Sequence, residues 1–176
     1  MMDVSSRYSG LARAFHWTTA ILVACQFVIA WTMPEIGRGS APVGLIGWHL
    51  TIGLVIGFLT VARLAARSVQ SSPVAPADNV PLLATAARLT HGLLYVMLIL
   101  LALLGWINAN ARGWKVDLFG VIPLPKIVSQ GSPIGRSMGD VHATTAILFL
   151  VLIGLHVLGA AYHTFIRKDG TLRRMI

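Results

Sequence analysis

The sequence predicts an all-α protein, a bundle of four helices that crosses a membrane. The chain of 176 residues is 56% hydrophobic and only 11% charged, with a mean hydropathy of +0.75. A water-soluble domain of this composition would lack the polar surface to cover itself, so the bilayer is the expected solvent. Four apolar segments each supply the roughly 20 residues that a helix needs to cross the hydrocarbon core. Because the sequence shows no internal repeat, we expect a single domain over residues 1–176.

The predicted helices cover residues 14–33, 45–66, 84–108 and 141–165. The segments between them are punctuated by Gly and Pro and are expected to be loops. They cover residues 34–44, 67–83 and 109–140, with Pro73, Pro76, Pro81, Pro123, Pro125 and Pro133 among them. Arg7 and Arg13 precede the first apolar segment as basic residues precede a signal peptide core, but that segment ends without a small-residue cleavage site. We therefore expect it to remain as the first helix.

The basic residues predict that both termini lie in the cytoplasm. This orientation puts nine of the fourteen Lys and Arg residues inside and five outside, in agreement with the positive-inside rule. The inside set is Arg7, Arg13, Arg63, Arg67, Arg88, Arg167, Lys168, Arg173 and Arg174. The outside set is Arg38, Arg112, Lys115, Lys126 and Arg136. Since these charges lie at the ends of apolar runs and form no basic and aromatic patch, the net charge of +8 does not indicate nucleic-acid binding.

All six histidines fall inside or at the ends of the apolar segments. They are His16, His49, His91, His142, His156 and His163. An imidazole in hydrocarbon is costly without a partner, so six of them indicate a function rather than six separate hydrogen bonds to neighbouring helices. His142 and His156 are fourteen residues apart, which places them within about 40° on one helix face and about 21 Å apart along it. Two haems stacked across a bilayer would need such a pair of ligands.

Depth in the membrane predicts a partner for each of these two histidines. His16 matches His156 on the cytoplasmic side, and His49 matches His142 on the outer side. The residues four positions after the four histidines are small, which would let a porphyrin lie along each helix. They are Ala20, Gly53, Ala146 and Ala160. Small residues are also typical of any interface between membrane helices.

The other two histidines and several arginines lie near the cytoplasmic side. His91 and His163 could each donate a hydrogen bond to a haem propionate or to a quinone carbonyl. Arg13 and Arg88 could pair with propionates, as could the other arginines on that side. These arginines could equally act as topology determinants that contact lipid headgroups.

Several short motifs occur in a recognisable order. They are Ala14-Phe15-His16-Trp17, Gly47-Trp48-His49-Leu50-Thr51-Ile52-Gly53, Val141-His142, Leu155-His156, Ala161-Tyr162-His163 and the terminal Lys168-Asp169-Gly170-Thr171-Leu172. Together with the outer-loop residues 116–120, this order resembles the bacterial cytochrome b561 family over nearly the whole chain. The resemblance implies a four-helix protein of the bacterial inner membrane that carries two b haems and exchanges electrons with the quinone pool. It also implies that His16, His49, His142 and His156 are the axial ligands of the haem irons.

One branch of the family looks like a superoxide oxidase, which takes an electron from superoxide at the outer face and reduces ubiquinone. The outer loop of this chain has an excess of positive charge, with Arg112, Lys115, Lys126 and Arg136 against Asp117 and Asp140. Such an excess would attract a small anion by electrostatic steering, and it would equally dock an acidic periplasmic redox protein.

Two other classes of protein compete with this interpretation. A transporter or channel for metal ions would also place histidines in the membrane, but it would be expected to have carboxylates or cysteines beside them. None of the six carboxylates lies in mid-membrane, and Cys25 is the only cysteine. A haem-bearing anchor subunit for a soluble dehydrogenase stays open on sequence alone.

Overall fold

The computed structural model of the protein consists mainly of four long helices. They are α1 (Gly10–Thr32), α2 (Gly44–Val69), α3 (Pro81–Ala111) and α4 (Pro133–Ala161). The structure describes residues 7–37, 39–69 and 81–176, so Arg38, Pro73 and Pro76 lie outside the described residues. All four helices are long and apolar enough to cross a membrane, with α4 counted together with its continuation to Arg167. Large apolar side chains on their outer faces are exposed, as lipid contact requires, and the four-helix prediction is confirmed.

The last two helices begin earlier than the sequence predicted. α3 begins at Pro81 and α4 at Pro133, both of which were expected to be loop residues. A proline is well tolerated in the first turn of a helix, where its missing N–H has no intrahelical partner. In α4, the Ser132 hydroxyl accepts a hydrogen bond from the Gly135 N–H over 3.2 Å and caps that turn. Hydropathy indicates the part of a helix that crosses the membrane, whereas the first residue of the helix is set by its N-terminal cap.

The segment between α3 and α4 contains a small antiparallel hairpin, so the protein is not purely α-helical. Its strands are β1 (Asp117–Leu118) and β2 (Ile122–Pro123). Phe119 and Gly120 both have positive φ angles, of 57° and 69°, in the turn between the strands. A hairpin turn of type I′ has two such residues, and glycine adopts this conformation without steric cost.

The chain termini lie at one end of the bundle and the hairpin lies at the other. The Tyr8 N–H donates to the Arg174 carbonyl over 3.1 Å, so the two termini meet at one end, here called the terminal end. The hairpin lies at the opposite end, here called the hairpin end, where the Trp114 indole N–H donates to the Ser40 carbonyl over 3.0 Å. Both termini therefore lie at the same end of the bundle.

Close packing joins α1 to α2, α2 to α3 and α3 to α4. At the hairpin end, Asn108 of α3 ties that helix to the start of α4, because its side-chain amide donates to the carbonyls of Gly135 and Arg136. α1 and α4 approach each other less closely, and side chains occupy the space between them.

Candidate haem-binding sites

At the terminal end, three histidines from three helices come together. The ring centres of His16 on α1 and His156 on α4 lie 6.3 Å apart, with an angle of 67° between the ring planes. The ring of His91 on α3 lies 5.1 Å from that of His156. The structure therefore brings together the pair that helix depth predicted and adds His91 as a close neighbour of the same site.

At the hairpin end, His49 of α2 faces His142 of α4. Their ring centres lie 6.0 Å apart, with an angle of 75° between the ring planes. His142 Nδ1 lies 3.0 Å from the Leu101 carbonyl of α3, and because a carbonyl only accepts, Nδ1 carries the proton. His49 Nδ1 is buried and has no hydrogen-bond partner within the described part of the chain.

Both ring separations match those of two imidazoles on one metal. An imidazole nitrogen lies about 2 Å from a bound transition metal and roughly 1 Å from its own ring centre, so two imidazoles on opposite sides of one metal have ring centres roughly 6 Å apart. The measured separations are 6.3 Å for His16 and His156 and 6.0 Å for His49 and His142. Each pair could therefore supply the two axial ligands of a haem iron.

The chemistry of the donors fits a haem better than a bare metal ion. Among the described residues, no group of three or more His, Cys, Asp or Glu side chains could hold a metal ion. A protein site for zinc takes three or four protein ligands, whereas a porphyrin supplies four nitrogens of its own and leaves two axial positions. Two facing imidazoles are therefore sufficient for a haem iron but not for a zinc ion.

Two phenylalanines separate the paired histidines along the bundle. Phe149 of α4 lies seven residues from both His142 and His156, and it is buried with 3% of its surface exposed. Its ring stacks on that of Phe27 of α1, with ring centres 6.4 Å apart and an angle of 19° between the planes. The two histidine pairs are therefore separate sites, with an aromatic contact between them.

Two glycines that follow His49 on α2 lie against neighbouring helices. A Cβ added at Gly53, four residues after His49, would lie 3.1 Å from Nε2 of Gln26 on α1. A Cβ added at Gly57 would lie 2.7 Å from the Cβ of Ala102 on α3. These glycines therefore allow close contact between helices, and room for a porphyrin beside Gly53 stays a prediction.

Arg63 is the arginine that the structure places against a paired histidine. A nitrogen of its guanidinium lies 3.3 Å from His16 Nδ1, and the guanidinium carbon lies 5.3 Å from the ring centre of Tyr95. Arg13 instead donates to the main-chain oxygen of Ile176 over 2.6 Å, and Arg88 is exposed and donates to the Thr85 hydroxyl over 3.2 Å. The sequence marked Arg63 as one of several basic residues on this side, and no sequence signal set it apart.

His163 lies in a π-helical turn, Tyr162–Arg167, that continues α4. Its Nδ1 lies 2.6 Å from a carboxylate oxygen of Asp169, whose other oxygen accepts bonds from the Thr171 N–H and hydroxyl. Partial burial raises the pKa of Asp169, but the hydrogen bonds from Thr171 and His163 outweigh it and lower that pKa to about 2. His163 therefore anchors the terminal turn and stands apart from the histidine pairs.

A cavity of about 440 Å³ opens at the hairpin end, between the start of α2 and the hairpin. It is lined by Trp48 and Thr51 of α2 and by Lys115, Asp117 and Phe119 from the segment between α3 and α4. Lys115 is exposed.

Arg112, which the sequence grouped with Lys115, has structural contacts instead. Its Nε donates to the Asn108 side-chain oxygen over 2.9 Å, and its guanidinium lies over the Trp114 ring at 5.6 Å.

Four membrane-crossing helices that carry facing pairs of histidines are the architecture of membrane-bound cytochromes of the b type. The family comparison agrees with this class. The chain belongs to the family described as prokaryotic cytochrome b561, whose model matches residues 7–176.

Curated relatives resemble the chain over nearly its full length. Cytochrome b561 homolog 2 of Escherichia coli (strain K12) is 28% identical over 181 residues, which cover 99% of this chain and 93% of the relative. The probable superoxide oxidase CybB of Yersinia pestis is 29% identical, with 97% and 96% covered. Cytochrome b562 of Cereibacter sphaeroides is 28% identical, with 96% and 94% covered.

Family membership and the four apolar helices establish the general activity. The chain is a multi-pass electron-transfer protein of the bacterial inner membrane that binds haem b.

Proposed function

We propose that the protein holds two b haems at two depths and passes single electrons from a donor at the outer face to the quinone pool. The observation that carries this proposal is the pair of facing histidine sites, with ring centres 6.3 Å and 6.0 Å apart at opposite ends of one membrane bundle. His16 and His156 would hold the haem at the terminal end, and His49 and His142 would hold the haem at the hairpin end. The whole chain acts as a single membrane domain.

When bound, a b haem supplies one-electron redox chemistry, because its iron is stable in two oxidation states. The protein's own groups orient and neutralise it. His142 donates its Nδ1 proton to Leu101, which leaves Nε2 as the free ligand nitrogen. Arg63, next to His16, is the nearest cation for propionates at the terminal end. Arg13 and Arg88 stay predictions for the same role.

The direction of transfer rests on orientation. The nine-to-five distribution of basic residues supports an orientation with the terminal end in the cytoplasm and the hairpin end outside. Ubiquinone would then be reduced near the terminal end, where His91 and His163 are the candidate hydrogen-bond donors to its carbonyls.

Superoxide is the donor that the outer cavity suits best. Lys115 offers a positive charge at the cavity of the hairpin end, which favours a small anion by electrostatic steering. Each superoxide gives up one electron and becomes dioxygen, and two such electrons with two protons convert ubiquinone to ubiquinol. The name of the Yersinia pestis relative, a probable superoxide oxidase, supports this substrate.

A second candidate is a carrier that takes electrons from quinol and serves a periplasmic redox protein. The observation that favours it is the apolar tip of the hairpin, where Phe119 is 64% exposed and Val121 78% exposed. Exposed apolar residues beside charged ones are typical of a surface where another protein docks. A haem-bearing anchor subunit for a soluble dehydrogenase would also need such a docking surface.

Haem content tests the central claim. The pyridine-haemochrome assay on purified protein should give two haems per chain, and a ratio near one would contradict the two-site proposal. His49→Ala and His142→Ala should each remove the same haem, and His16→Ala and His156→Ala the other, as judged by potentiometric titration. His163→Ala is the matched control and should retain both haems. If His49→Ala and His156→Ala removed the same haem, the assignment of pairs would be wrong.

A further inference from the structure

The side chain of Gln26 on α1 reaches the backbone of His49 on α2. Its Nε2 donates to the His49 main-chain oxygen over 2.7 Å. Gly53 leaves the space for this contact, since an added Cβ would lie 3.1 Å from the same nitrogen. A carbonyl oxygen only accepts hydrogen bonds, so this contact decides which end of the Gln26 amide faces His49. The amide oxygen Oε1 is left as an acceptor in the interior of the bundle.

Two buried polar atoms at this contact are without a hydrogen-bond partner among the described residues. They are Oε1 of Gln26 and Nδ1 of His49. Buried polar atoms are rarely left unpaired, because each one has given up its bonds to water. The two atoms are complementary when Nδ1 carries a proton, since an amide oxygen accepts and an imidazole N–H donates. They also belong to residues that already share one hydrogen bond.

Iron binding at His49 would require that protonation state. When Nε2 of a histidine binds a metal, Nδ1 carries the proton and almost always donates it to a carboxylate, a carbonyl or water. His142, which faces His49, donates its Nδ1 proton to the Leu101 carbonyl over 3.0 Å. His49 needs an equivalent acceptor, and the free amide oxygen of Gln26 is chemically suited to be one.

We propose that Gln26 is a positioning residue for the hairpin-end haem. Its Oε1 accepts a hydrogen bond from the Nδ1–H of His49, directly or through one water, while its Nε2 donates to the His49 main-chain oxygen. This inference rests on the proposed function, in which His49 is an axial ligand. An acceptor at Nδ1 makes the imidazole a stronger electron donor and stabilises the oxidised iron. Gln26 therefore lowers the reduction potential of the hairpin-end haem.

Two substitutions in the full-length protein separate hydrogen bonding from packing. Gln26→Met keeps the length of the side chain and removes both hydrogen bonds, whereas Gln26→Glu keeps an acceptor oxygen in either protonation state. In Gln26→Met, potentiometric titration should show one haem with a reduction equilibrium shifted about tenfold towards the reduced state, about 59 mV for a one-electron couple. The other haem should not change. In Gln26→Glu, neither potential should rise.

Cys25→Met is the matched control, because Cys25 is the exposed neighbour of Gln26 on the same helix. It should leave both potentials unchanged. Haem content, measured on the same samples, distinguishes a protein that binds no haem from one in which Gln26 does not affect the haem. Wild-type protein without haem would contradict the proposed function itself. Full haem content with unchanged potentials in Gln26→Met would overturn only the role of Gln26, as would equal rises in Gln26→Met and Gln26→Glu or equal shifts of both haems.

Discussion

Phe149 of α4 stacks on Phe27 of α1 midway between the two histidine pairs, with ring centres 6.4 Å apart. Seven residues are close to two helical turns, so Phe149 lies on the same face of α4 as His142 and His156. The contact bridges the two helices that carry the terminal-end pair but do not pack closely on each other. It therefore supplies packing between α1 and α4 at a level between the two sites.

Phe149→Ala should destabilise the protein. Lipid is as apolar as phenylalanine, so the loss comes from packing contacts, and it should be smaller than the roughly 3–5 kcal/mol seen for Phe→Ala in water-soluble cores. Thermal unfolding in detergent, followed by tryptophan fluorescence, is the measurement. Phe58→Ala is the control, because Phe58 is 49% exposed and should cost less. Equal losses in the two variants would mean that the stacked pair contributes no special stability.

His91→Ala should keep two haems per chain. His91 lies closer to His156 than His16 does, at 5.1 Å against 6.3 Å, so distance alone does not decide which of them shares an iron with His156. The assignment to His16 rests on the resemblance and on helix depth. Haem content and the potential of the terminal-end haem would be compared in His91→Ala and His16→Ala. Loss of a haem in His91→Ala, with retention in His16→Ala, would make His91 the ligand.

Lys115→Glu should slow reduction of the protein by superoxide several-fold at low ionic strength without changing haem content, because a positive charge at the cavity is reversed. The difference from wild type should shrink as salt is added, since screening shortens the reach of the charge. Stopped-flow absorbance at the haem band follows the rate. Lys126→Glu, an exposed lysine outside that cavity lining, is the control and should have a smaller effect. Fast reduction by quinol with none by superoxide would favour the second candidate function.

Asp169→Asn should loosen the turn that follows α4. The lowered pKa of Asp169, about 2 in the folded protein, means that its carboxylate stabilises the turn above its ordinary pKa of 3.8 and loses that effect as the pH falls towards 2. The Thr171 amide, which donates to Asp169 over 3.0 Å, should therefore keep its hydrogen-exchange protection from neutral pH down to about pH 4. In Asp169→Asn this protection should be weaker throughout. Asp140→Asn serves as the exposed control, and matching protection in all three proteins would contradict the expected role.

The sequence by itself determined the parts of this protein that depend on distance along the chain. Runs of apolar residues decide where helices cross the membrane, because each residue adds a constant rise. The fourteen-residue spacing of His142 and His156 decides that both lie on one face of α4. Depth then pairs His16 with His156 and His49 with His142, since consecutive membrane-crossing helices alternate in direction. The predicted starts of α3 and α4 were too late, because Pro81 and Pro133 were assigned to loops although each is the first residue of a helix.

Only the tertiary structure decided which side chains meet across the helices. The rotation of each helix about its own axis, and the identity of its neighbours, are set by packing and leave no spacing signal in a single sequence. That rotation brings His91 to His156, places Arg63 on His16 and inserts Gln26 beside His49. It also explains why Gly53 is small, since the amide of Gln26 occupies the space that a side chain there would fill.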